Sequence, residues 1–220
     1  MRLDDYAQKD GKRVWLTVNE LERLIDQTQN SQQGIALTLL GKAGLRRGEV
    51  VQVTRNDFTH APDGYVRVWA NYTKADEYRE VPVPDSFERY VDGWTEGQPP
   101  DEPVVDVDGT TVYRWVRKAA DKCAGEDGDT RGWSEVGPHD LRRSWGGHLL
   151  WNCGVSPMSV MSFGGWSDWQ TFEEHYMGEM SPEARDRERS KIDYLGGEPE
   201  PDTQPMQPQT PATRQTYSGD

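Results

Sequence analysis

Residues 34–44, G-I-A-L-T-L-L-G-K-A-G, constrain this chain more than any other segment. A helix that is apolar on almost every side belongs in the middle of a core, not on its surface. Gly44 ends the run and places Leu45 and Arg46 at a turn between helices. Upstream, Thr17-Val-Asn-Glu20 reads as a capping box before L-E-R-L-I, so a helix is expected to start near Thr17. Residues 1–13 are polar and charged and read as a loose lead-in.

After Arg46 the hydrophobic period changes. D-F-T-H and Y-V-R-V-W flank A-P-D-G, a turn signal between two short strands, and Y-R-E-V-P-V-P alternates as a third. Asn71–Asp76 is the expected turn between the second and third strands. Beyond it the pattern is helical over Asp85–Val91, Thr111–Cys123, His139–Asn152, Pro157–Phe163, Trp169–Tyr176 and Ser181–Tyr194. Ala124–Gly137, polar and rich in Gly and Asp, reads as a mobile loop. From Gly196 the composition falls to Pro, Gln, Thr and Glu, too poor in apolar groups to offset the entropy of ordering. The expectation is an α+β fold, mainly helical with a small three-stranded antiparallel sheet. It forms one domain over 14–195, followed by a disordered tail at 196–220; a length of 220 residues suits this.

A formal net charge of −13 speaks at first against a phosphate-binding protein. The acids, however, are spread along the whole chain, and the basic residues are 7 lysines against 18 arginines. Many carboxylates with few lysines suggest adaptation to high salt, where charge effects are screened over a few ångströms. A salt-loving archaeal host, virus or plasmid is the expected source, with an ordinary acidic mesophile as the alternative. No apolar run approaches a membrane span and no signal peptide opens the sequence, so a soluble, cytoplasmic protein is expected. Cys123 and Cys153 have no companions at metal spacing and read as reduced thiols, with no metal site.

The chemistry is concentrated in a few residues. In G-P-H-D-L-R-R-S-W-G-G-H-L-L, His139 and Arg142 stand three positions apart at a helix start, on one face and within reach of one anion. Arg46 lies in K-A-G-L-R-R-G-E-V-V and Tyr176 in F-E-E-H-Y-M-G. Two guanidiniums, an imidazole and a phenol brought together would serve a phosphodiester transfer to tyrosine. Each has a plainer reading when taken alone: Arg46 as a surface arginine, Lys74 as a solvated turn lysine, Trp166 as a core aromatic, and H-x-x-R as a chance pairing.

Taken in order, the motifs resemble the tyrosine recombinase (phage integrase) family over about residues 12–180. G-L-R-R-G-E matches the family's first catalytic arginine at Arg46, with Glu49 as the supporting acid. K-A-D-E-Y-R-E-V-P-V-P is similar to the family's lysine-bearing β-turn and implies Lys74 as general acid. H-D-L-R matches H-x-x-R, giving His139 and Arg142. F-G-G-W matches the segment where histidine is usual and tryptophan accepted, giving Trp166, whose indole N–H can donate to a phosphate. Tyr176, ten positions after Trp166, is the implied nucleophile, ahead of Tyr194 and Tyr217. Arg47, Arg143 and Arg117 are candidate DNA-binding rim residues. The stretch from Arg142 to Trp166 is one residue longer than usual, around Trp151–Cys153.

The resemblance implies a site-specific recombinase or integrase working on double-stranded DNA as a tetramer, without metal, ATP or other cofactor. The helical core-binding domain that precedes catalysis in most relatives is not expected here, which makes a separate DNA-binding partner conceivable. A catalytically silent DNA-binding accessory factor, a type IB topoisomerase-like relaxer, and an acidic interaction domain with an accidental motif are the competing readings.

Overall fold

The structure, a computed structural model, describes residues 1–5, 10–61, 63–72, 78–128, 130–173, 180 and 182–192. The elements run in the order β1 (Arg2–Asp5), β2 (Lys12–Trp15), α1 (Val18–Asp26), α2 (Ser31–Gly41), α3 (Arg47–Val50), α4 (Asn56–Thr59), β3 (Tyr65–Val68), β4 (Arg79–Pro82), α5 (Phe87–Trp94), α6 (Gly109–Asp127), α7 (Pro138–Gly147), α8 (Pro157–Gly164), α9 (Trp169–Phe172) and α10 (Pro182–Ser190). They divide into two compact units, 1–184 and 185–220; of the second, residues 185–192 are described. No helix of the described residues is long and apolar enough to cross a membrane.

The apolar segment forms α2, and it is the centre of the first unit. Ile35, Ala36, Leu37, Leu39 and Leu40 are all fully buried, and α2 packs against α1, α3, α5, α6 and α7. Truncating one of these leucines to alanine would cost about 2–5 kcal/mol. Helix α1 starts as the capping box foretells: the Thr17 side chain accepts from the Glu20 N–H, and the Glu20 carboxylate accepts from the Thr17 N–H at 2.8 Å.

The expected three-stranded sheet is instead two separate two-stranded antiparallel sheets. Only the second and third expected strands pair, as β3 and β4, with Val66 opposite Val81 and Val68 opposite Arg79. The first, D-F-T-H, is the short helix α4. Local side-chain chemistry outweighs alternation there. The Asp57 carboxylate accepts from the Thr54 N–H at 2.8 Å and from the Trp69 indole at 2.5 Å, curling the chain and tying it to the end of β3.

The other sheet comes from the supposed lead-in. Leu3 pairs with Val14 in the β1–β2 hairpin, and the guanidinium of Arg2 lies 4.0 Å over the Trp15 ring. The expected mobile loop is also pinned in part. Helix α6 continues to Asp127, Trp133 is buried, and the Arg117 guanidinium donates to the carbonyls of Trp133 (2.8 Å) and Val136 (2.7 Å). After α7 the backbone changes to a π-helical turn over His148–Asn152. A π turn accommodates one more residue than an α-helical turn.

Candidate active site

Arg46 is the N-cap residue of α3, reached directly from the buried end of α2. The turn between them needs Gly44, which has φ +64°; a Cβ there would run into the Trp145 indole. Glu49, in the first turn of α3, holds Arg46 at both ends. One carboxylate oxygen accepts the Arg46 backbone N–H at 2.7 Å and the other its guanidinium at 2.8 Å. The second guanidinium nitrogen donates to the Gly165 carbonyl at 2.8 Å.

His139 and Arg142 come from α7, whose N-cap is Gly137 and whose first helical residue is Pro138. The Asp140 carboxylate returns to the Gly137 N–H at 3.0 Å and completes the cap. His139 is exposed in this first turn; Arg142, one turn on, is buried. The Arg142 guanidinium donates to the Gly44 carbonyl and, at 2.6 Å, to the Gly164 carbonyl. It lies 4.1 Å from the centroid of the Trp166 ring, a cation–π contact in a largely desolvated place. Thus the turn that aims Arg46 also receives Arg142.

The F-G-G-W motif is the end of α8. Gly165 adopts the left-handed C-cap conformation, and a Cβ on Gly164 would collide with the Trp166 indole. Trp166 stacks on Trp145 with ring centroids 6.0 Å apart, and packs against Phe172. It is therefore a core aromatic by burial and a neighbour of the site arginine by contact.

Sequence reasoning missed Arg79, on β4. It is buried and donates to Glu49 at 2.6 Å and to the Phe163 carbonyl at 2.9 Å. The signal was readable: Arg79 shares its strand face with the buried Val81, so it is a charged residue at an inward position. Burial works against the Glu49 carboxylate. Arg79, Arg142 and the Arg46 N–H outweigh it and hold the pKa below the usual carboxylate value.

Arg46, Arg47, His139 and Arg142, with Tyr113 and Glu135, line one cleft of about 530 Å³. Two segments distant in sequence thus bring arginine side chains to a single opening, a setting suited to an anion. Of the candidate rim arginines, Arg47 is exposed on this cleft. Arg143 is buried, paired with Asp140 and 5.4 Å from the Trp15 ring centroid, while Arg117 is taken up by the loop carbonyls. These two arginines hold the fold together and do not face the cleft. A profile of the Phage integrase family matches residues 14–181.

The chain belongs to the phage integrase family. Solved structures agree on the fold. The XerA recombinase matches at 18% identity and TM-score 0.63 over 81% of this chain and 64% of that one. The XerH site-specific recombinase bound to its difH substrate matches at 18% and 0.58, over 81% and 53%. The Tn1549 transposon integrase in complex with circular intermediate DNA matches at 15% and 0.61, over 83% and 67%. This integrase-family chain thus spans between half and two thirds of the length of these proteins. No curated protein matches it in sequence.

Two of the integrase residues named from the sequence, Lys74 and Tyr176, lie outside the described residues, as do Tyr194 and Tyr217. The described ends of the Lys74 segment are joined, with the Trp69 and Tyr78 rings 5.1 Å apart. Tyr72, beside it, is no phenolate at neutral pH: burial and the adjacent Asp57 push its pKa up to about 12. Cys123 is buried in α6 and its thiol is pushed up to about 11 by that burial, which makes it inert.

Proposed function

We propose that this chain is a site-specific DNA recombinase that cuts and rejoins DNA through a 3′-phosphotyrosyl intermediate, with Tyr176 as nucleophile. The observation that carries the reading is the convergence of Arg46, His139 and Arg142 on one cleft. A phosphodiester undergoing attack gathers negative charge on its nonbridging oxygens, and preorganised guanidiniums in a water-poor site stabilise that charge most. Arg46 and Arg142 take this role, with Glu49 aiming Arg46. Trp166 braces Arg142 with its ring and offers its indole N–H to the phosphate.

The Tyr176 phenol oxygen attacks phosphorus and its proton passes to His139. The P–O5′ bond breaks, and Lys74 protonates the departing 5′ oxygen. A 5′-hydroxyl from another strand then attacks the phosphotyrosine and restores the phosphodiester. The bond energy is conserved in the covalent link, so the reading includes neither ATP nor metal. It includes a tetramer on double-stranded DNA, Arg47 on flanking phosphates, and room for a separate DNA-binding polypeptide. XerH and the Tn1549 integrase, similar in fold, were captured on DNA, which supports DNA as the partner.

The test is covalent trapping on nicked, site-bearing DNA from the element's own ends, run in high salt with EDTA. The unmodified chain is expected to form an adduct as the short 5′-hydroxyl fragment diffuses away. Tyr176→Phe, which removes one oxygen, is expected to bind DNA and form none. Adduct from the Phe variant would move the nucleophile to another tyrosine. DNA binding without adduct from the unmodified chain would support the accessory-factor reading, and site-independent plasmid relaxation the topoisomerase-like one.

A further inference from the structure

Helix α8 ends in three successive carbonyls, and each accepts from an arginine on a different segment. Arg79 donates to Phe163 at 2.9 Å, Arg142 to Gly164 at 2.6 Å, and Arg46 to Gly165 at 2.8 Å. The last carbonyls of a helix have no partner within it and carry the negative end of its dipole, so this turn is a natural seat for cations. Glu49 ties the arrangement together from below. It pairs with Arg46 at 2.8 Å and with Arg79 at 2.6 Å.

Arg79 differs from the other two. It is not among the residues that line the cleft shared by Arg46, His139 and Arg142. With Gly165 and Trp166 it borders a separate depression behind the turn. Its side chain is 5% exposed, against 37% for Arg46. A lysine could hold Glu49 or the carbonyl, but it lacks the planar fork that reaches both with fixed geometry.

We infer that Arg79 is a positioning residue: by gripping the Phe163 carbonyl and Glu49 together, it fixes the turn on which Arg46 and Arg142 are ordered. This deepens the recombinase reading and, for its effect on catalysis, rests on it. The charged groups that face Glu49 are Arg46 from its own turn, Arg79 from β4 and Arg142 from α7. Without Arg79 the strongest opposition to the burial of Glu49 is gone. Its pKa then rises, and protonation releases Arg46.

The experiment has one arm that needs no catalysis. In the full chain labelled with ¹⁵N-arginine, the Nε–H signals of Arg46 and Arg142 report how tightly each guanidinium is held. Arg79→Lys, which keeps the charge and the fold, is expected to loosen both; signals held as in the unmodified chain overturn the inference. In the second arm, adduct formation at saturating DNA is expected to fall about a hundredfold in Arg79→Lys with little change in DNA affinity. Arg79→Met is expected to add an acid limb to the pH profile of the adduct rate. The double variant Arg79→Met, Glu49→Gln is expected to lose that limb, because no carboxylate remains to titrate. A fall in affinity alone, or a pH limb that survives the Gln substitution, also overturns the inference. Loosened guanidiniums in a chain that forms no adduct even when unmodified would leave the positioning role standing and sink the recombinase reading.

Discussion

Glu49 and Asp140 begin as the same device. Each is the third residue of a helix, each returns its carboxylate to the N-cap N–H, at 2.7 Å and 3.0 Å, and each is buried beside an arginine. They end in opposite states. Glu49 has Arg46 and Arg79 on its two oxygens, and its pKa is lowered. Asp140 has Arg143 and the Val14 N–H; burial prevails and its pKa is raised. One acid aims a cleft arginine, while the other clamps strand β2 onto α7. A buried acid–arginine pair therefore says little about function by itself. What separates the two is the number of cations that share the carboxylate and whether one of them reaches an opening.

The contrast is open to direct attack. Glu49→Ala strands Arg79 in the interior and unties Arg46; a loss of about 3–5 kcal/mol in stability is expected. Adduct formation by the protein that remains folded is expected to fall by roughly a hundredfold or more. Asp140→Ala strands Arg143 and is expected to cost a similar 3–5 kcal/mol, yet to leave the folded fraction able to form adduct. Denaturant unfolding and trapping assays measure both quantities, and equal losses of adduct in the two variants would dissolve the distinction.

A smaller effect is expected from the turn that gathers the arginines. Gly164→Ala sets a methyl against the Trp166 indole, an overpacking cost of about 1–3 kcal/mol. It is also expected to disturb the Trp145–Trp166 stack, visible in the near-ultraviolet circular dichroism. Arg117→Met removes two hydrogen bonds to loop carbonyls on the far side of the comparison, for roughly 1–3 kcal/mol. DNA affinity is expected to stay unchanged, since this arginine serves the loop; a marked loss of affinity would return it to the DNA-binding rim.

The finest test is the sign of a pH slope. A lowered folded pKa means that Glu49 contributes stability above its ordinary value of 4.5, lost as pH falls through the folded value. The stability advantage of the unmodified chain over Glu49→Gln should therefore shrink on acidification. Asp140 has the opposite sign: its ionised form is penalised in the fold, so acidification through its raised pKa relieves the chain. The difference from Asp140→Asn should grow in the unmodified chain's favour over that range. Parallel slopes in thermal melts taken from neutral to acid pH would refute the assignment.

How much of this was legible in the sequence depended on the range of the signal. The capping box at Thr17, the central helix and the H-x-x-R face of α7 are set within a few residues, and the sequence displays them. The β1–β2 hairpin was hidden because polar, charged residues surround its one buried residue, Val14, and what fastens it is distant: Val14 donates to Asp140. D-F-T-H misled for a related reason, since its aspartate is claimed by Thr54 and Trp69. Of the site, Arg46, His139 and Arg142 could be named from motifs. That Arg143 and Arg117 point inward follows from partners elsewhere in the chain, which no local pattern encodes. Arg79 lay in plain view at an inward strand position and was overlooked because an arginine is read as solvent-facing by default.

The arginines of the cleft are held by main-chain oxygens of the α8 turn, and that changes what mutation can reach. A carbonyl is supplied by every residue type, so the side chains along α8 can drift without loosening any arginine. What cannot drift is the backbone path, and that is guarded by Gly164 and Gly165, where a Cβ would strike Trp166 or crowd Arg79. A lineage could replace most of this helix and keep the same three guanidiniums in register. What this chain must keep at the end of α8 is a backbone shape with two glycines in it, more than a string of letters.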